Sequence, residues 1–149
     1  ASLIDKGAKN NEIHDKVYNT NSYQRLQLLG NVLKNIEILP QYRTVYMYLS
    51  EADKKLCNFK KGDSEGFVNY ALSVEDTVLA TIFIEDNNLG IIKMSFRSKG
   101  DFSVNDFART HFNGGGHINA AGGRSEDALE ATIAKFLEIL PQYKPDLNP

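Results

Sequence analysis

The glycine-rich stretch from Gly114 to Gly123 is the most unusual part of this 149-residue chain, and it reads Gly-Gly-Gly-His-Ile-Asn-Ala-Ala-Gly-Gly. Successive glycines lose much backbone entropy on folding, so they indicate a sharp turn or a close approach of another group. Their N–H groups can converge on one anion, and a helical turn over residues 117–121 would add the positive end of a dipole. We therefore predict that Gly114, Gly115 and Gly116 cradle a phosphate. The alternative is a tight turn between packed elements.

His117 directly follows the three glycines. A histidine beside a phosphate can donate a hydrogen bond, become charged near neutral pH or stack on a base. A histidine in isolation would be interpreted as a cap for nearby carbonyls. Its position next to the glycines favours a contact with a ligand.

A second group of donors, Ser95, Arg97 and Ser98, lies near the end of a predicted strand. A guanidinium matches two phosphate oxygens at once, and hydroxyls add further donors. A lone arginine at a strand end is usually solvated, but the local charge favours binding. Residues 97–124 contain four Lys or Arg and two Asp, a net charge of +2, in a chain whose formal net charge is −2. We predict that these side chains and His117 form one anion site.

Groups that could carry out catalysis are missing from the pattern. Three histidines and one cysteine show no zinc-like spacing. The one adjacent histidine–aspartate pair, His14-Asp15, lies in a polar N-terminal segment. We therefore expect no catalytic residue, no metal ligand and no bound cofactor in this chain, and we interpret it as a substrate-binding module.

The overall composition is that of an ordinary folded domain, with 42% hydrophobic and 24% charged residues. The acidic balance excludes a generic nucleic-acid coat. No apolar run approaches the roughly 18 residues of a membrane span, and no signal-peptide pattern is visible, so no membrane partner is expected. Cys57, the single cysteine, cannot form an internal disulfide and is expected to be buried. A reduced, cytoplasmic location is the simplest expectation.

The periodicity of apolar residues predicts the elements that would position these groups. A helix should begin at Ser22 and end before Pro40, with Leu26, Leu29, Leu33 and Ile36 on its apolar face. Strands are predicted over residues 44–49, 77–84 and 91–97. Serine-capped helices are predicted from Ser50, Ser103 and Ser125, with another helix over 66–72 and a loop over 114–123.

This order of elements predicts an α/β (α+β) fold with a small mixed β-sheet and helices packed on it. Residues 1–40, read as two short helices, are interpreted as a helical connector or the tail of a missing catalytic domain. Residues 41–143 would form the folded domain, and residues 144–149 a frayed tail.

The run from Gly114 to Gly122 matches the GGGHxxAAG signature of the C-terminal, DHH-associated domain of DHH-family phosphoesterases. The segment Ser95-Phe96-Arg97-Ser98 resembles the SxRS segment of that family, and the resemblance spans about residues 42–140. Asn113 stands where the family often has a fourth glycine, and asparagine also tolerates left-handed backbone angles. Within the family, the chain looks most like bacterial nano-RNases that also dephosphorylate phosphoadenosine phosphate, and like exopolyphosphatase-related proteins.

The resemblance implies that the intact protein hydrolyses phosphodiester or phosphomonoester bonds of short oligonucleotides or nucleotides. It implies an N-terminal catalytic domain that holds manganese ions with an Asp-His-His motif, which this chain lacks. In the family, the arginine and the GGGH loop, here Arg97 and Gly114 to His117, grip the substrate phosphate. The expected partners are the substrate and the chain's own catalytic domain, with a homodimer as a further option. The chain alone is expected to be inactive and part of a longer protein.

Two alternatives remain from the sequence. Non-catalytic, tRNA-binding C-terminal domains of alanyl-tRNA synthetases carry a related glycine loop, with arginine or lysine where His117 stands. His117 and the Ala-Ala-Gly sequence that follows favour the phosphoesterase branch. The other alternative is a folded interaction domain without a ligand.

Overall fold

A six-stranded mixed β-sheet forms the centre of the part that the structure describes, residues 21–149 of a computed structural model. The strands are β1 (Glu37–Leu39), β2 (Thr44–Leu49), β3 (Leu79–Asp86), β4 (Ile91–Ser98), β5 (Gly115–His117) and β6 (Ala120–Ser125). The helices are α1 (Tyr23–Lys34), α2 (Glu51–Leu56), α3 (Phe67–Leu72), α4 (Val104–His111), α5 (Leu129–Ile139) and α6 (Lys144–Leu147). Short 3-10 turns span Pro40–Tyr42 and Leu140–Tyr143.

The strand order, β1-β2-β3-β4-β6-β5, combines one parallel pair with antiparallel pairs. Strands β2 and β3 are parallel, and the other neighbouring strands are antiparallel. A parallel pair needs a crossover connection, and α2 and α3 lie in that connection. The predicted α/β (α+β) fold, a small mixed sheet with helices packed on it, is therefore confirmed.

Two apolar clusters, one on each face of the sheet, hold the helices in place. Helices α4 and α5 pack on the face that carries Phe83 and Phe96. Helices α1 and α3 pack on the opposite face, against Met47 of β2 and Ile82 of β3. Each large apolar side chain buried in this way contributes roughly 1.5–3 kcal/mol. None of the helices between residues 21 and 149 is long and apolar enough to cross a membrane.

Serine side chains begin three of the helices, as the sequence predicts. Ser22, Ser50 and Ser103 each accept a hydrogen bond from the backbone N–H three residues further along, which satisfies a free donor of the first turn. Ser125 is a correction, because its backbone pairs with β4 at the end of β6. Helix α5 consequently begins later, at Leu129.

The apolar stripe of α1 is displaced from its predicted position. Leu29 is buried as expected, together with Leu28 and Val32, but Leu26 is 49% exposed. The helix also ends earlier than predicted, at Lys34. Contact with β2 selects which side of the helix is buried, and the three-and-four spacing alone does not determine that side.

The segment before residue 41 contains a strand that is not among the predicted elements. Glu37–Leu39 pairs with β2, and Pro40 begins a 3-10 turn between the two strands. The boundary predicted between residues 40 and 41 therefore falls inside the sheet. The first predicted helix and the His14-Asp15 pair lie in residues 1–20, outside the described residues.

The C-terminal tail is packed, which corrects the prediction that residues 144–149 are frayed. Leu147 is fully buried in the cluster on the α4 and α5 face. The Asn148 side-chain amide donates to the carbonyl of Gln41 at 3.1 Å. One apolar residue in a polar tail is enough to anchor the last turn of helix to the core.

Candidate anion-binding site

The glycine-rich stretch forms a β-hairpin, whereas the sequence predicts a loop. Strand β5 runs antiparallel to β6, with Ile118 and Asn119 at the turn between them. Strand β6 also pairs with β4, so the hairpin extends the main sheet. The helical turn considered over residues 117–121 is absent from this structure, and no helix dipole acts there.

Close backbone packing explains three of the glycines. A Cβ atom on Gly114 would overlap the carbonyl oxygen of Gly122. One on Gly116 would lie 2.6 Å from the carbonyl oxygen of Ala120, and one on Gly123 would lie 2.9 Å from Cβ of Phe112. The alternative of a tight structural element therefore accounts for these positions without a ligand.

The amides of this stretch are already used inside the protein. The Gly114 N–H donates to the carbonyl of Ala108 at 3.2 Å. The Gly116 N–H donates to Oδ1 of Asn105 on α4 at 2.9 Å. The predicted cradle of converging free amides is therefore corrected at these two positions, and anion binding here must depend on side chains.

Arg97 and His117 lie on the same face of the sheet, at the same level. Arg97 on β4 pairs with Ala120 on β6, and His117 on β5 pairs with the same Ala120. Directly opposed residues of antiparallel strands project to the same face with Cα atoms about 5 Å apart, so the Cα atoms of Arg97 and His117 are about 10 Å apart. The methyl group of Ala120 leaves space above the sheet between the two long side chains.

Ser95 lies on the same face, two residues before Arg97 on β4, in a row whose other members are glycines. It pairs with Gly122, which pairs in turn with Gly115. Ser95 is half-buried, so its hydroxyl lies at the base of this shallow row. The strand pairing therefore places Ser95, Arg97 and His117 on one face of the sheet.

Ser98 projects to the opposite face, and its environment gives it a structural role in place of the predicted phosphate contact. It is 5% exposed. Its hydroxyl donates to the carbonyl of Phe102 at 2.6 Å and accepts from the side-chain amide of Asn119 at 2.9 Å. The alternation of a strand separates Ser98 from Arg97, its neighbour in sequence.

The guanidinium of Arg97 keeps most of its donors available. One N–H group, on Nη1, donates to the carbonyl of Phe96 at 2.9 Å, which fixes the direction of the side chain. A guanidinium has five N–H groups, and no carboxylate among residues 21–149 forms a salt bridge with Arg97. His117 is exposed at the end of β5. Both side chains are free to contact a solvent-borne anion.

Two further cations, which are not among the predicted site residues, extend this surface. Lys93 and Arg124 pair across β4 and β6, on the same face as Ser95 and Arg97, and both are exposed. The alternation along β4 already placed Lys93 on this face. The position of Arg124 opposite Lys93 depends on the pairing register, which a single strand does not reveal.

The described residues do not fit a metal centre. No group of three or more His, Cys, Asp or Glu side chains between residues 21 and 149 could hold an ion. Cys57 is buried, as expected for an inert cysteine. The pKa of His111 is lowered by burial and, to a smaller degree, by Lys135, but His111 contacts Tyr143 in the core on the far side of the sheet.

The chain belongs to the DHHA1 family, since the model of the DHHA1 domain matches residues 45–144. This match confirms the resemblance to a DHH-associated domain. None of the curated proteins matches the chain.

Solved structures also resemble it. An exopolyphosphatase-related protein from Bacteroides fragilis is 39% identical, with a TM-score of 0.91, over 99% of this chain and 43% of that protein. A pGpG-specific phosphodiesterase, PggH, from Vibrio cholerae is 13% identical, with a TM-score of 0.58, over 83% of this chain and 40% of that protein, which shows a shared fold. This chain spans less than half the length of either one.

Proposed function

We propose that this chain is the substrate-binding domain of a DHH-family phosphoesterase that acts on short oligonucleotides or nucleotides. The observation that carries the proposal is the row Arg97–Ala120–His117, which the strand pairing places on one face of the sheet. Membership of the DHHA1 family supports it. So does the name of the 39% identical relative, an exopolyphosphatase-related protein, which refers to phosphate chemistry.

The proposed binding uses side chains in place of the amide cradle. The Arg97 guanidinium contacts two oxygens of a terminal phosphate, and the Ser95 hydroxyl donates to a third. His117 donates a ring N–H from the other side of Ala120. Holding a phosphate between groups fixed on two strands of one sheet restricts its orientation. Such positioning can contribute several kcal/mol to a reaction barrier elsewhere in the protein.

The catalytic groups belong, in this proposal, to a separate N-terminal domain of the longer protein. Manganese bound there would supply charge stabilisation at the phosphorus. The described residues of this chain offer no ligand set for it, so their part is to bind and orient the substrate. Association with that domain, a homodimeric assembly and a cytoplasmic location all stay predictions.

Isothermal titration of the chain with AMP and with phosphoadenosine phosphate tests the proposal. Arg97→Ala should weaken binding of both ligands about 10-fold or more, because it removes charge-assisted hydrogen bonds. His117→Ala should weaken it less. Lys144→Ala, an exposed lysine on α6, is the control and should bind normally.

Two results would contradict the proposal. In the first, Arg97→Ala folds normally and binds both nucleotides as the unchanged chain does. In the second, tRNA binds tightly while neither nucleotide does, which would favour the synthetase-type domain.

A further inference from the structure

A basic hollow lies at the other end of β4 from Arg97. This lysine cleft has a volume of about 790 Å³. Ile84 and Lys93, which pair across β3 and β4, form its sheet wall. Lys54 and Lys55 on α2 and Lys61 in the following loop form the wall opposite.

Acidic partners neutralise only part of the charge in the lysine cleft. Lys93 lies 3.2 Å from Asp86, and Lys54 lies 3.4 Å from Glu51. Lys54 is held further by Phe59, whose ring centre lies 4.9 Å from the Lys54 amine. Lys55 and Lys61 are exposed and form no salt bridge with the described residues. The cleft therefore has an excess of positive charge.

The lysine cleft and the candidate site lie on the same face of the sheet. Lys93 pairs with Ile84 on the cleft side and with Arg124 on the β6 side. From Lys93 to Arg97 the strand advances four residues, or about 13 Å. The row between them, at Ser95, carries no charge. Cations thus lie at both ends of a neutral stretch.

We propose that the lysine cleft is a second phosphate subsite, which lets the domain bind a single-stranded oligonucleotide more tightly than a mononucleotide. This inference rests on the proposed function. The distance between Lys93 and Arg97 favours an oligonucleotide, since a single strand is long enough to place one phosphate at Arg97 and another at Lys93. The phosphates of tripolyphosphate are each joined to the next through one shared oxygen, so they lie too close together to reach both positions.

The test compares three probes, AMP, pentaadenylate and tripolyphosphate, by titration into the 149-residue chain. The double variant Lys55→Ala and Lys61→Ala, at two exposed residues of the cleft, should weaken pentaadenylate binding about 5- to 25-fold and change AMP binding less than about twofold. Each lost phosphate contact should lower the slope of log affinity against log salt by about 0.7. Lys144→Ala should leave all three probes unaffected, and Lys61→Ala alone, in an exposed loop, serves as a second variant.

The outcomes separate the inference from the proposed function. Pentaadenylate binding that the double variant leaves unchanged, or AMP binding that falls equally, would overturn the second subsite. If the lysine variants weaken pentaadenylate but Arg97→Ala leaves AMP unaffected, the subsite stands and the proposed function fails. A larger loss for tripolyphosphate than for pentaadenylate would overturn the choice of an oligonucleotide. Binding of no probe would overturn both.

Discussion

The Ser98 hydroxyl on β4 accepts a hydrogen bond, 2.9 Å long, from the side-chain amide of Asn119 at the tip of the β5–β6 hairpin. The same hydroxyl lies 3.2 Å from the carbonyl of Ile118. These contacts fasten the turn that follows His117 to the strand that carries Arg97. The separation of Arg97 and His117 across Ala120 therefore depends on Ser98, a buried residue that faces away from both of these side chains.

Ser98→Ala should loosen this fastening. We expect a loss of about 1–3 kcal/mol in the free energy of unfolding, because buried polar partners lose their hydrogen bonds. AMP affinity should also fall, although residue 98 faces away from the site. Urea denaturation and titration measure the two effects. Ser73→Ala removes an exposed hydroxyl that bonds one carbonyl, and it should change neither quantity by much. Equal stability of both variants would contradict the role given to Ser98.

Gly114→Ala should destabilise the fold by about 1–3 kcal/mol or more, because its methyl group would overlap the Gly122 carbonyl. Gly30 is the matched control. It lies within α1, and a Cβ there meets nothing within 4 Å. Gly30→Ala should therefore stabilise the helix by about 0.5–1 kcal/mol. Thermal unfolding distinguishes the two, and a stable Gly114→Ala would show that the hairpin can shift to make room.

Leu147→Ala should lower the free energy of unfolding by about 2–5 kcal/mol, since it removes a fully buried side chain and leaves a cavity. Pro149, two residues later, is exposed, and its deletion should have little effect. Urea unfolding curves provide the comparison. A frayed tail, as predicted from the sequence, would make the two variants equally harmless.

His111 should make the fold less stable in mild acid. Burial, and then Lys135, hold its pKa below the ordinary value of 6.5, so the unfolded chain binds the proton more readily. Stability from this residue is complete above pH 6.5 and falls as the pH drops from there towards the lowered pKa. The melting temperature of His111→Gln should therefore vary less between pH 7 and pH 5 than that of the unchanged chain. If the melting temperatures of both proteins change equally with pH, His111 is excluded as a source of acid sensitivity.

Local signals allowed much of the fold to be predicted. Serine caps determine where α1, α2 and α4 begin, because each cap bonds to the turn that follows it. Alternation along β4 showed which side chains share a face. The β5–β6 hairpin was missed because glycine and alanine have low strand propensity, and here pairing with β4 overrides it.

The sequence indicates which residues belong to the candidate site better than it indicates how they are arranged. Ser95, Arg97 and His117 were identified from residue type and neighbours in sequence. Their common level on the sheet depends on the register of β4, β6 and β5, which involves residues distant in the chain. The use of the Gly116 amide by Asn105 is equally non-local, and that contact changes the interpretation of the glycines.

The hydrogen bond between the Gly116 amide and Asn105 affects how copies of the chain can associate. Strand β5 is the outermost strand of the sheet on its side, a position where an unpaired backbone invites a strand from another molecule. Asn105 occupies the amide at the middle of β5. A neighbouring molecule that added a strand here would have to displace this side chain. The outer edge of β5, beside His117, is thus protected against the addition of a strand from another molecule.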